Sequence, residues 1–283
     1  MVSKLKKSLI GIIAAVVSFS SMALTAFADE PYNTYNYDMW LDPIPSQAGY
    51  RVEKTVTGLD MGLEALSDPE SDLYISKNEN PKLSGAKDMY FDETSKTFWV
   101  ADTGNNRILS LDENLKVIGC YKSIVSSDKS TFASPLGIFA STDGSGVTSI
   151  YVADSDNGRG VKLLIQDETT AIAQVEYTKP DNEAYTAEAF TPSKVSVDKE
   201  GNVYLISTSV STGALRYDQN GEFKGFYGAN RVEKSAAVIA RKVWRAFASE
   251  KKQQGMLSSV PTEFNNFDVD EDGFMYTVTE AAN

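Results

Sequence analysis

Histidine is absent from this 283-residue chain, and cysteine occurs once. The first absence removes Ser-His-Asp triads, histidine-liganded zinc and imidazole acid–base chemistry together. The second removes internal disulfides, CxxC pairs and thiolate metal clusters. It leaves Cys120 either as a buried thiol in an apolar strand or as a partner for a cysteine of another chain. Neither phosphate-cradling glycine pattern, GxxxxGK[ST] or GxGxxG, occurs. Past residue 28 no apolar run reaches the ~20 residues needed to cross a bilayer. Basic residues are also scarce, with 27 Lys and Arg against 39 Asp and Glu, and three of the 27 (Lys4, Lys6, Lys7) lie within residues 1–28. Residues 29–283 therefore carry a net charge of −15, a surface that repels nucleic acid and anionic lipid.

The first 28 residues have a basic start, an apolar run from Leu9 to Val17 extended through Met22-Ala23-Leu24, and Ala26-Phe27-Ala28 before Asp29. That order is a secretory signal peptide, cut after Ala28. It predicts a secreted or cell-surface protein with no transmembrane segment after signal removal. Residues 29–49 form an aromatic N-terminal arm in which Tyr32, Tyr35, Tyr37 and Trp40 alternate with Asn and Asp, followed by Pro43 and Pro45. Such rings either pack onto the domain or present themselves to a carbohydrate or peptide.

The body of the chain, residues 50–283, is repetitive. Phe98-Trp99-Val100-Ala101-Asp102-Thr103-Gly104-Asn105-Asn106-Arg107-Ile108 reads as strand, tight turn and strand. Ile150-Tyr151-Val152-Ala153-Asp154, leading to Asn157, Arg159 and Val161, repeats it with Asp154 lying 52 residues after Asp102. Val203-Tyr204-Leu205-Ile206 is a third copy of the first strand and Phe274-Met275-Tyr276-Thr277-Val278 a fourth. Lead-in strands precede each copy, and Leu115–Tyr121 and Glu222–Phe226 supply outer strands. Four short antiparallel strands per ~40–50 residues mark propeller blades. The predicted fold class is all-β, a β-propeller of four-stranded antiparallel blades, with about 3.5 blades counted from the four copies. Tyr50–Val56 alternates as a half-buried strand, and Leu73–Ile75 reads as a short one. Because a half-finished sheet exposes apolar surface and unpaired backbone, a truncated or partner-completed propeller is expected.

One helix interrupts the repeat. Residues 233–252 contain no Gly or Pro, and Ala236, Ile239, Ala240, Val243, Trp244 and Phe247 fall at helical spacing. The insertion is expected to fold over one propeller face, with membrane or partner binding as the alternative.

Only carboxylates remain for chemistry. Asp268-Val269-Asp270-Glu271-Asp272-Gly273 opens like a calcium loop, but its twelfth position is Thr279 and a strand follows. It matches Asp198-Lys199-Glu200-Gly201 and is read as a hairpin turn. Asp102, Asn105 and Arg107, with Asp154, Asn157 and Arg159, are read as structural: Asp and Asn cap turn amides, and Arg bridges to a carboxylate on the neighbouring strand. The third unit replaces the pattern with Ser207-Thr208-Ser209-Val210-Ser211-Thr212-Gly213.

The run Tyr/Trp-Val-Ala-Asp-x-x-Asn-x-Arg resembles the NHL repeat, whose family folds as a β-propeller that is often six-bladed. Trp99 to Ile108 and Tyr151 to Val161 carry the resemblance best, and with their lead-ins the copies span residues 86–283. The signal peptide, Tyr35 to Trp40 and the predicted helix are similar to those of exported NHL proteins of Gram-positive bacteria, often encoded beside sugar ABC transporters. That resemblance implies part of a six-bladed ring, fuller-length relatives and a surface role linked to carbohydrate uptake. The expected function is a non-enzymatic binding or scaffold module recognising a protein, peptide or glycan through Tyr35, Tyr37, Trp40 and Trp244, with no cofactor. The alternative is a metal-dependent lactonase-like hydrolase whose channel carboxylates hold calcium. A third reading gives this length of chain no activity of its own.

Overall fold

The computed structural model describes residues 35–37, 40, 42–45, 52–183, 185, 187–208, 210, 213–228, 265–270 and 274–278. The expected signal peptide at 1–28 and the expected helical insertion at 233–252 lie outside the described residues. The chain divides into two compact units, residues 1–55 and 56–283. In the first, β1 (Tyr35–Tyr37) and β2 (Pro43–Pro45) form an antiparallel hairpin that pairs Tyr35 with Pro45 and Tyr37 with Pro43.

The second unit is built from meandering antiparallel sheets. The first blade comprises β3 (Asp88–Asp92), β4 (Thr97–Asp102), β5 (Arg107–Leu111) and β6 (Val117–Tyr121), paired in chain order. A two-residue strand, β7 (Ile124–Val125), follows. The second blade then runs through β8 (Pro135–Thr142), β9 (Thr148–Asp154), β10 (Arg159–Ile165) and β11 (Ala171–Tyr177), and β7 pairs in parallel with the outer side of β11. The third blade is β12 (Thr191–Val197), β13 (Val203–Thr208), β14 (Ala214–Tyr217) and β15 (Phe223–Tyr227). A two-stranded sheet, β16 (Asn266–Val269) with β17 (Met275–Val278), completes the described part. The architecture is all-β, with four-stranded antiparallel blades in the arrangement of a partial propeller.

Alternation along each strand decides which blade a side chain meets. On blade one, Trp99, Ala101 and Ile108 face blade two and pack on Ile138, Ile150, Val152 and Val161. The opposite face of blade two presents Tyr151 and Tyr177 to Val195, Leu205 and Leu215 of blade three. The far side of blade three sets Tyr204, Ile206 and Ala214 against Phe267 and Val269. Every middle sheet is thus apolar on both faces, which is why Val203–Ile206 and Ile150–Ala153 read as continuous apolar runs rather than alternating ones.

The remaining face of blade one, with Val100, Leu109, Leu111 and Cys120, lies beneath Met61, Leu63 and Leu66. Those three come from a short helix, Gly58–Met61, and a 3₁₀ turn, Leu63–Ser67. Thr57 and Asp60 start the helix as a reciprocal capping box, and Gly62, at φ 78°, ends it in the left-handed conformation. Two expectations fail here. Val52–Thr55 is exposed and forms no strand, and Leu73–Ile75 is irregular. Leu73 and Ile75 are instead held as packing against blade one, with the Ile75 amide donating to Leu66 O at 2.9 Å. Cys120 is a buried free thiol in that layer, and burial pushes its pKa up to about 12.

Aspartates close the hairpins. Asp112, Asp143, Asp198 and Asp218 each accept from the amides two and four residues ahead, at 2.8–3.0 Å. Asp270 likewise accepts from the Phe274 amide at 2.8 Å, and Val269 pairs with Met275, so β16 and β17 are antiparallel neighbours here; residues 271–273 of the calcium-like run lie outside the described residues.

Two predictions follow from these features. Gly137 brings β8 against β12 so closely that an added Cβ would sit 2.7 Å from Lys194 Cα and from Ser193 O. Gly137→Ala is expected to cost about 1–3 kcal/mol in a urea titration, as overpacking does elsewhere. The Lys116 amide, the Ser145 hydroxyl and the Lys224 ammonium, respectively, hold the carboxyls of Asp112, Asp143 and Asp218 below the ordinary value. Depressed folded values contribute stability above the unfolded pKa of about 3.9, and that contribution is lost as pH falls through the folded values. The unfolding midpoint should therefore drop below about pH 4, and an Asp112→Asn, Asp143→Asn, Asp218→Asn variant should lose less on acidification than the parent.

Candidate functional site

The recurring Asp-x-x-Asn-x-Arg turns lie at one end of blades one and two. Asp102 closes β4 and Arg107 opens β5, and the two pair across the ladder. Arg107 Nε donates to Asp102 Oδ2 at 2.7 Å, and Asn105 Nδ2 donates to the same oxygen at 2.8 Å. Asp102 Oδ1 accepts from the Ser84 amide at 2.7 Å. The outer guanidinium nitrogens reach Glu79 Oε1 at 3.1 Å and Lys82 O at 3.2 Å. Blade two repeats the arrangement: Arg159 Nε and Asn157 Nδ2 meet Asp154 Oδ2 at 2.9 and 2.8 Å, and Asp154 Oδ1 accepts from the Ala133 amide at 2.8 Å. Arg159 also reaches Glu176 Oε1 at 2.5 Å and Lys129 O at 2.8 Å.

Both arginines and both aspartates are fully buried. In each blade the cluster grips the loop that enters the innermost strand, residues 79–84 in one case and 129–133 in the other. Burial pushes the Asp154 carboxyl upward, against three donors that favour its ionised form. In the third blade Ser207 stands where Asp102 and Asp154 stand, and its Oγ accepts from the Thr191 amide at 3.0 Å. The incoming loop is still held there, by a neutral acceptor and without an arginine.

The innermost strands bring together residues that sequence reasoning missed. Asp88, Tyr90 and Asp92 share one face of β3 by alternation. Asp88 Oδ1 accepts from Lys194 Nζ of β12 at 2.7 Å and its Oδ2 from the Ile138 amide of β8 at 3.0 Å, so one carboxylate ties three blades. Asp92 accepts from Ser95 Oγ at 2.7 Å and from the Thr142 hydroxyl. Ser196 Oγ lies 3.4 Å from Asp268 Oδ1. Burial, then the charge of Asp268, pushes Tyr90 up to about 12. The Asp-x-Tyr-x-Asp alternation within a strand was the available signal. Among the described residues, no three His, Cys, Asp or Glu side chains converge as a metal site.

Of the aromatic candidates, Tyr37 and Trp40 are 67% and 73% exposed. Tyr35 lies in β1, opposite Pro45. Trp244 lies outside the described residues. Separately, Val56, Gly58, Leu59, Pro81, Lys82 and Leu83 line an open, mostly apolar cavity of about 510 Å³.

No known protein family matches the sequence, and no curated protein does. Solved structures do resemble the fold. The extracellular domain of a hybrid two-component system protein from B. thetaiotaomicron is 15% identical with a TM-score of 0.39, covering 69% of this chain and 22% of its own. Streptogramin B lyase is 13% identical with a TM-score of 0.38, covering 69% of this chain and 62% of its own. Hydrazine synthase of Kuenenia stuttgartiensis is 14% identical with a TM-score of 0.37, covering 52% of this chain and 37% of its own. The first two are β-propeller proteins. The chain thus spans less than two thirds of each of these structures, and no activity carries over at such distances.

The buried turns generate a prediction. Arg107→Leu leaves the fully buried Asp102 without its cation and Glu79 with Lys122 alone, 3.2 Å away, and is expected to cost about 3–5 kcal/mol in equilibrium unfolding. Lys224→Ala, at the exposed pair with Asp218, should move the midpoint far less.

Proposed function

We propose that the chain is an exported, NHL-type propeller module that binds a protein, peptide or glycan at the cell surface and is not itself an enzyme. One observation carries this reading. The polar residues that recur along the chain are spent inside it, with Arg107 and Arg159 fully buried on Asp102 and Asp154. Large aromatics, by contrast, stand out to solvent at Tyr37 and Trp40. In this reading Asp102, Asn105, Arg107, Asp154, Asn157 and Arg159 hold the blade ends, and recognition belongs to exposed aromatic surface, where planar rings stack on sugar faces or peptide side chains. The signal peptide and the resemblance to exported NHL proteins support secretion and a link to carbohydrate uptake, and the acidity of residues 29–283 disfavours nucleic acid.

The rival is a metal-dependent lactonase-like hydrolase. It would use channel carboxylates with calcium as the fitting ion, but among the described residues no three such side chains converge, and Asp88 is already tied to Lys194 and the Ile138 amide.

Titration calorimetry against cell-wall glycans, oligosaccharides and secreted peptides decides between them. A ligand whose affinity falls roughly tenfold or more in Tyr37→Ala and Trp40→Ala supports the binding module. Ligand binding that both substitutions leave untouched removes the aromatic arm from the site. Native mass spectrometry with and without EDTA tests the rival: stoichiometric loss of a divalent ion, accompanied by loss of lactone hydrolysis, would establish the hydrolase instead.

A further inference from the structure

We propose that Asn220 is a site of spontaneous deamidation, converting to aspartate and isoaspartate through a cyclic imide, while Asn157, in the same dipeptide, is protected by the fold. The reaction makes three demands. The side-chain carbonyl carbon has to reach the backbone nitrogen of the next residue, that nitrogen has to be unshielded, and the carboxamide has to be free to turn. Glycine meets the second demand best, because it carries no Cβ and admits backbone conformations closed to other residues.

Among the described residues an Asp or Asn precedes Gly three times, at Asp143-Gly144, Asn157-Gly158 and Asn220-Gly221. Each lies in a tight turn, and hydrogen bonding separates them. Asp143 is a carboxylate, the poorer electrophile, and its Oδ1 accepts from the Ser145 amide, the Ser145 hydroxyl and the Val147 amide at 2.8, 2.6 and 3.0 Å. Asn157 Nδ2 donates to Thr131 O at 2.9 Å and to Asp154 Oδ2 at 2.8 Å. Asp154 is itself paired with Arg159, so the carboxamide that would have to rotate is built into the blade end. Asn220 stands in the exposed turn between β14 and β15. Its backbone amide donates to Asp218 Oδ1 at 2.9 Å, but among the described residues no hydrogen bond holds its side chain. The Gly221 amide donates to Asp218 O at 3.1 Å, and the Gly158 amide to Ser155 O at 2.9 Å. That bond has to open in either turn, so the carboxamide distinguishes the two.

Water is the only co-reactant. Solvent hydroxide takes the proton from the Gly221 amide, and the nitrogen bonds to Asn220 Cγ as the Cγ–Nδ2 bond breaks. The departing nitrogen takes a proton from water and leaves as ammonia, which regenerates hydroxide. A further water then opens the imide at either carbonyl, giving aspartate or isoaspartate. The new carboxylate joins Asp218 and Glu222, which already share Lys224 Nζ at 2.9 and 2.7 Å. The isoaspartyl product also lengthens the main chain by a methylene, in a turn that abuts the second blade. A Cβ added at Gly221 would lie 3.0 Å from Glu176 O of β11. The proposal stands independently of the ligand-binding reading.

Peptide mapping by mass spectrometry on the folded, purified chain, held at mildly alkaline pH and sampled over time, tests it. Asn220 is expected to gain the mass of an amide-to-acid exchange roughly tenfold or more faster than Asn157, whose two side-chain hydrogen bonds have to break first. In urea the two sites should convert at similar rates, because both turns then lose their structure. Asn220→Gln should remove the fast conversion, with an unchanged far-ultraviolet spectrum to check that the variant folds. Equal rates at Asn220 and Asn157 in the folded chain overturn the proposal. So does a ratio that persists in urea, which would assign the difference to neighbouring sequence instead of the fold, or a fast conversion that survives Asn220→Gln.

Discussion

A β-sheet with apolar side chains on both faces cannot stand in water, and it has to be roofed twice. That requirement organises the second unit of this protein. Ile150, Val152, Leu205 and Ile206 are buried because another sheet lies on each side of their own. Stability in such a stack is shared between neighbours, as in repeat proteins, where each unit contacts the next and a terminal element shields the outermost face. The segment with Met61, Leu63 and Leu66 plays that shielding part on blade one. It is too short to make a sheet, so it uses a capped turn of helix and a 3₁₀ turn to deliver three large side chains.

The blade ends obey a second constraint, that a buried charge must be matched atom by atom. Asp102 and Asp154 each receive an arginine, an asparagine and a backbone amide. The gain is geometric. A loop entering an inner strand is fixed to the turn between the second and third strands of the same blade, which sets where that strand begins. Ser207 shows that the essential partner is the acceptor for the incoming amide, since the arginine is gone and the loop remains held.

The sheets and their turns were legible in the sequence because two short-range signals coincided there. Apolar β-branched runs ended in Asp-Gly or Asp-Asn turns, and the same grouping returned after about fifty residues. Leu73–Ile75 misled for the complementary reason: three apolar residues fit a strand or an irregular pad equally well, and only the face left open on blade one decides between them. The Asp88, Ile138 and Lys194 junction was illegible because its members lie far apart in the chain and meet only after three blades have stacked. The buried arginines were legible as a pair with their aspartates. Their further partners, Glu79 and Glu176, sit in a loop and on an outer strand where no repeat marks them.

An unpaired strand edge invites another molecule to extend the sheet. The link between blades one and two lays Ile124 and Val125 alongside Ala171 and Ile172 in parallel. Two residues suffice to occupy part of the outer rim of the second blade with backbone that belongs to the same molecule. The connection that carries the polypeptide onward thus also guards that rim against uncontrolled polymerisation, and on blade one the Cys120 amide of β6 is likewise taken up, by the Glu168 carbonyl at 2.8 Å.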